Sequence, residues 1–172
     1  MTHAIIVMGV SGSGKTTISE ALALKFGLPF IEGDKLHPAA NVEKMAAGNP
    51  LNDDDRWPWL TIIGDELRKG AEADGVVISC SALKKSYRDH LRTATGHPLN
   101  FVYLDGSVEL LSARMGARQG HFMPLSLLKT QLDTLEVPTG EDGVVTISIA
   151  DNPYTIVENA AKALENLWAS EA

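Results

Sequence analysis

The sequence predicts an α/β fold in which a parallel five-stranded sheet carries helices on both faces. Three observations predict it. Five short apolar, β-branched runs recur along the chain, with segments of helical period between them. The first run ends in a glycine-rich loop that closes on Lys-Thr and leads into a helix. The length of 172 residues suits a single α/β unit of this size.

Each element has its own signal. Ala4–Met8 is a buried strand, and Thr16–Phe26 a helix that Gly27 ends. Pro29–Ile31 makes a second short strand. Ala39–Ala47 is helical up to Gly48, and Asn49–Asp55 is a turn-rich acidic loop. Trp57–Ala73 sets Trp59, Ile62, Ile63 and Leu67 on one helical face, with Pro58 near the start, where a missing N–H costs little. Val76–Cys80, Asn100–Leu104 and Val144–Ile149 are the remaining strands. Helices are expected at Lys84–Ala94, at Ser107–Met115, from Leu125 to Leu135, and through the closing segment that contains Ile156, Leu164 and Trp168. Gly116–Pro124 has two glycines and few apolar residues and reads as a loop. In such sheets ligands bind beyond the carboxyl ends of the strands.

Composition narrows the function. The net charge is −7, from 15 Lys+Arg and 22 Asp+Glu, which argues against charge-driven binding of nucleic acid or anionic membrane. Cys80 is the single cysteine, so neither an internal disulfide nor a cysteine zinc set is available. No apolar run approaches the roughly 20 residues of a membrane span, and Ala4–Val10 lacks the basic lead of a signal peptide. The expectation is a cytoplasmic protein.

The first loop carries the strongest motif. Gly9-Val10-Ser11-Gly12-Ser13-Gly14-Lys15-Thr16 matches G-x-x-x-x-G-K-[ST] in full, between a strand and a helix, with Thr17 following. Glycines let successive N–H groups point into one concavity, and the helix N-terminus adds partial positive charge there. Lys15 reaches the β- and γ-phosphates, and the Thr16 hydroxyl suits Mg²⁺. ATP with Mg²⁺ is the expected ligand, and the fold narrows to a three-layer P-loop NTPase.

Phosphoryl transfer also needs an acceptor and a base. After the second strand comes Glu32-Gly33-Asp34-Lys35-Leu36-His37-Pro38. On an extended segment Glu32 and Asp34 would point the same way. Asp34 is the candidate base, and Glu32 the candidate for the metal's outer shell.

That segment, with Asn41, Lys44-Met45, Gly48, the run Pro50–Leu60, Cys80–Lys84 with Tyr87-Arg88, and Gly120-His121-Phe122-Met123, resembles the gluconokinase family from about residue 5 to about residue 153. The resemblance implies ATP-dependent phosphorylation of D-gluconate to 6-phospho-D-gluconate. It also implies a fold shared with shikimate and nucleoside monophosphate kinases, with a substrate-binding region at about 35–75, a short lid at about 116–126, and a cytoplasmic homodimer.

A sugar acid calls for cations and hydrogen-bond partners. Arg56, Lys84 and Arg88 follow strands or open helices. Lys84 and Arg88 are four apart and would share a helix face. Any of the three suits the carboxylate. Asp54 is a candidate to pair with Arg56 or bind a sugar hydroxyl, Asp55 suits a cap for a helix beginning near Arg56, and Asp53 reads as solvated. His37 either binds substrate or fixes its turn. Arg114 and Arg118 lie four apart before His121. By resemblance to related kinases one arginine lies against the adenine ring or the phosphates: Arg118 is the candidate phosphate clamp and Arg114 the one nearer the base. His121 is the candidate lid-to-substrate contact, since Asp34 already serves as base, and Phe122 and Met123 are expected to seal the closed site. Asn152 and Pro153 resemble an adenine-cradling loop, although an N-cap and turn explain them almost as well. Two rival readings are another kinase of this fold and a nucleotide switch. The Leu51–Leu60 run speaks against the first. The second lacks an Asn-Lys-x-Asp guanine motif.

Overall fold

The computed structural model describes residues 2–117 and 125–171. Its elements alternate as the sequence predicts: β1 (Ala4–Met8), α1 (Lys15–Phe26), β2 (Phe30–Glu32), α2 (Ala39–Ala46), α3 (Asp53–Ala71), β3 (Val76–Ser79), α4 (Lys85–Thr95), β4 (Leu99–Asp105), α5 (Val108–Ala117), α6 (Leu125–Thr134), β5 (Val144–Ser148) and α7 (Pro153–Glu171). The strands form one parallel sheet in the order β2-β3-β1-β4-β5. β1 is central, so its C-terminal end opens beside those of β3 and β4.

Alternation along β1 divides the core. Ile5 and Val7 pack with Ile18 and Leu22 of α1 and with Ile156 and Leu164 of α7. Ala4, Ile6 and Met8 face the other way, against Trp59, Ile63 and Leu67 of α3 and Leu91 of α4. Both faces are covered, as a parallel sheet requires. No described helix is long and apolar enough to cross a membrane.

Two local expectations are corrected. The acidic run is not loop. Asn52 caps α3 by accepting from Asp55 N–H at 2.8 Å, while the Asp55 carboxylate accepts from Asn52 N–H at 2.9 Å. This capping box starts the helix at Asp53, so Asp55 is its third residue and not its cap. Asp53, Asp54 and Asp55 then occupy the first turn, where carboxylates favour the helix dipole.

The second correction concerns Glu32 and Asp34. Gly33–Leu36 forms a 3-10 turn, so the two-residue alternation of a strand stops at Glu32. Gly33 is required by a close approach: a Cβ there would lie 2.1 Å from the Ser79 carbonyl oxygen. Its own carbonyl accepts from the buried Trp59 indole at 2.9 Å. The turn is thereby fixed between β3 and α3.

Candidate active site

The phosphate loop leaves β1 and enters α1 through Gly14, which has φ 89° and makes no side-chain cap. No side chain on Gly14 competes with an anion for the first turn of α1. Lys15 Nζ lies across the loop, donating to the Val10 carbonyl at 3.1 Å. Gly9 N–H donates to Ser81 O at 3.3 Å, joining the loop to the segment after β3. Ser13 Oγ is buried and has no hydrogen-bond partner among the described residues. Thr16 Oγ1 donates to Glu32 Oε1 at 3.2 Å. That hydroxyl and carboxylate, side by side at the loop, are the hard oxygen donors that Mg²⁺ takes together with phosphate and water.

Asp34 is exposed on the 3-10 turn and sits between two groups that feel its charge. One is Cys80 at the end of β3, whose thiol burial pushes up to about 12, with Asp34 and Lys15 both acting on it. A thiol so raised is not a nucleophile. The other is His37, whose pKa is lowered by burial, with Asp34 opposing and Arg56 reinforcing that shift. His37 stacks on Trp59 with ring centroids 4.1 Å apart. The Asn41 amide donates to its Nδ1 at 3.1 Å, which leaves the proton on Nε2. His37 therefore fixes its turn and keeps one donor to offer.

The acceptor side is a cavity of about 480 Å³ lined by Leu51, Asn52, Asp53, Asp54, Arg56, Lys84, Tyr87 and Thr134. It falls within the roughly 300–1,000 Å³ range of small-molecule sites. Two side chains, one cationic and one a hydroxyl, meet at Asp53. Lys84 Nζ reaches both of its carboxylate oxygens at 3.2 Å, and Tyr87 OH donates to Oδ1. Arg56 Nη1 donates to Tyr87 OH at 3.3 Å. The bonds from Tyr87 and Lys84 hold Asp53 below the usual carboxylate range, and the Asp53 bond raises Lys84. Asp53 is thus tied to Lys84 and Tyr87 at the cavity wall while its side chain stays 44% exposed, and the expected Asp54–Arg56 pair gives way to Arg56–Tyr87. The cavity adjoins the phosphate loop: Thr134 lies on α6 three residues, about 4.5 Å of helix rise, beyond Gln131. Gln131 itself contacts Ser11.

Arg88 is removed from the substrate candidates. Its side chain is 0% exposed, and all five N–H donors are spent. They reach the Glu141 carboxylate at 3.0 and 2.6 Å and the carbonyls of Ala82, Leu83 and Glu136 at 2.8, 3.1 and 2.8 Å. Lys84 is the N-cap residue of α4, so it does not share an exposed face with Arg88. Arg88 instead holds the segment that presents Lys84, including Ala82 in the left-handed region at φ 46°.

At the nucleotide end, Arg114 Nη2 donates to the carbonyls of Ile149 and Asp151, the latter at 3.3 Å. Asn152 Oδ1 accepts from Thr155 N–H at 2.9 Å. That is the N-cap which the sequence offered as the alternative to an adenine-cradling role for Asn152. Thr17 and Pro153 line one cavity of about 280 Å³ with Ala21 and Tyr154. Arg118, His121, Phe122 and Met123, with most of the predicted lid, lie outside the described residues.

The geometry has close parallels. A family model described as an AAA domain matches residues 5–138. A protein named gluconokinase from Gluconobacter oxydans is 50% identical over 155 residues, covering 90% of this chain and 86% of that one. The chain belongs to the gluconokinase family. A crystal structure of a gluconokinase from Sinorhizobium meliloti superimposes with a TM-score of 0.88 at 52% identity, covering 99% and 98% of the two chains. Shikimate kinase from Aquifex aeolicus, at 14% identity and a TM-score of 0.63 over 95% and 96%, shares the fold. Within the gluconokinase family reading, Asp53 and Tyr87 are the residues that sequence reasoning missed. The signal available was that Tyr87 opens the same helix as the candidate cations.

Proposed function

We infer that this chain is an ATP-dependent sugar-acid kinase that transfers the γ-phosphoryl group to the terminal hydroxyl of D-gluconate, giving 6-phospho-D-gluconate and ADP. The observation that carries the reading is the cation- and hydroxyl-lined cavity set one helical turn from the phosphate loop, in a chain so similar to named gluconokinases. Lys15 and the loop N–H groups hold the β- and γ-phosphates. Mg²⁺, when bound through Thr16 with Glu32 in its outer shell, would neutralise phosphate charge. Asp34 accepts the proton of the attacking hydroxyl. Arg56 and Lys84 supply the positive charge for the gluconate carboxylate, and Asp54, His37 Nε2–H and Tyr87 offer partners to its hydroxyls. Arg114, Thr17 and Pro153 mark the end for the base. On sequence grounds Arg118 serves as the phosphate clamp, with His121 as a substrate contact. The family resemblance supports a cytoplasmic homodimer, and the acidic balance supports the absence of nucleic-acid or membrane partners.

An ADP-release assay across a panel of acceptors tests the reading. D-gluconate should be turned over in preference to shikimate, nucleoside monophosphates and glucose, which lacks the carboxylate. No ADP with gluconate, alongside turnover of another acceptor, overturns it.

A further inference from the structure

The peptide between Val10 and Ser11 is held from both ends. Its carbonyl accepts from Lys15 Nζ at 3.1 Å. Its N–H, on buried Ser11, donates to Gln131 Oε1 at 2.6 Å. Gln131 arrives on α6, far along the chain, and Leu128 one turn earlier is in the core, which fixes the face that α6 turns to the loop. The two groups of one trans peptide point in opposite directions. The plane therefore cannot turn without losing one of these bonds.

Lys15 is the loop's contact to the β- and γ-phosphates, so the peptide on which its ammonium rests belongs to the γ end of the loop. We propose that Gln131 is a positioning residue for the γ-phosphoryl group. By holding the Val10–Ser11 N–H it keeps the carbonyl of that peptide turned toward Lys15. A free peptide can rotate that carbonyl toward the phosphate, where its partial negative charge opposes the γ-phosphoryl oxygens. Ser11 is largely buried and this bond part-buried, so losing the glutamine leaves the N–H poorly placed for water. The Gln131 –NH₂ has no partner among the described residues, which leaves two donors beside the same end of the loop. The inference rests on the kinase reading but not on the identity of the acceptor.

The test compares Mg²⁺-loaded ADP with the β,γ-imido analogue of ATP, by calorimetric titration of the wild-type chain and Gln131→Met. The variant should bind the analogue about tenfold more weakly and ADP within about twofold of wild type, with kcat lowered about tenfold or more. Equal weakening of ADP and analogue would mean that the glutamine merely stiffens the loop, and overturns the proposal. So would unchanged analogue affinity with unchanged kcat. If Gln131→Met fails to fold, Gln131→Asn, which withdraws the same carboxamide by one methylene, is read against the same outcomes. The titrations contain no sugar acid, so failure of the gluconate assignment does not alter how their result is read.

Discussion

Arg88→Met should unfold the protein more easily without acting primarily on catalysis. The wild-type guanidinium is fully buried and saturates a carboxylate that is itself 12% exposed. Methionine fills much of the volume but removes every donor. Among the described residues Glu141 keeps Arg92, at 3.0 Å, and three carbonyls lose a donor, of which that of Leu83 keeps Glu136 N–H at 2.8 Å. Removing one member of a buried ion pair costs roughly 3–5 kcal/mol. For a chain of this size each kcal/mol moves Tm by about 2–4 °C, so the fall should be roughly 6–20 °C. The assay is thermal unfolding followed by circular dichroism, with urea unfolding to confirm an unchanged m-value. Arg88→Met combined with Glu141→Leu should recover part of the loss, because it removes the stranded charge. A Tm within about 2 °C of wild type, together with a KM for gluconate raised about tenfold or more, would refute the reasoning and restore Arg88 as a substrate contact.

Asp34→Asn should retain nucleotide affinity and lose about 10²–10⁴-fold in kcat, measured by single-turnover transfer; near-normal kcat removes it as the base. Lys84→Met should raise KM for gluconate by about 10–100-fold, the worth of a charge-assisted hydrogen bond, with a smaller change in kcat. Steady-state kinetics against a neutral polyol of the same length should show no such loss. Acidification should destabilise the fold through Glu141. Its pKa is lowered chiefly by the Arg88 bond, so its contribution is full above the unfolded carboxylate value and disappears as pH falls through the depressed folded value. A urea midpoint that falls below about pH 4.5 in wild type, but less steeply in Glu141→Gln, is the expected result.

The sheet was legible because its signals are local. A run such as Ala4–Met8 buried on both faces reads as a strand whatever surrounds it, and the glycine-rich loop fixes its own place between strand and helix. The site was legible only where a motif carries its own geometry, as at Lys15 and Thr16. Arg88 and Asp53 were exchanged in role because their environments come from residues distant in sequence. Glu141, 53 positions from Arg88, decides that the arginine is internal. Tyr87 and Lys84, more than 30 positions from Asp53, tie the aspartate into the cavity's hydrogen bonds. The Asn52 capping box shows a weaker failure. Its Asn-x-x-Asp spacing is visible in the sequence, but three acidic residues in a row look like a loop until a cap is recognised.

The central claim is that the phosphoryl group passes from ATP to the terminal hydroxyl of gluconate. The most direct measurement is a proton-coupled ³¹P spectrum of the product formed from Mg·ATP and D-gluconate by the purified protein. A new phosphate-ester resonance split into a triplet by the two protons of a CH₂–O group, appearing with the loss of ATP and the gain of ADP, is the predicted result. A doublet from a secondary alcohol, or free phosphate with no ester, would contradict it.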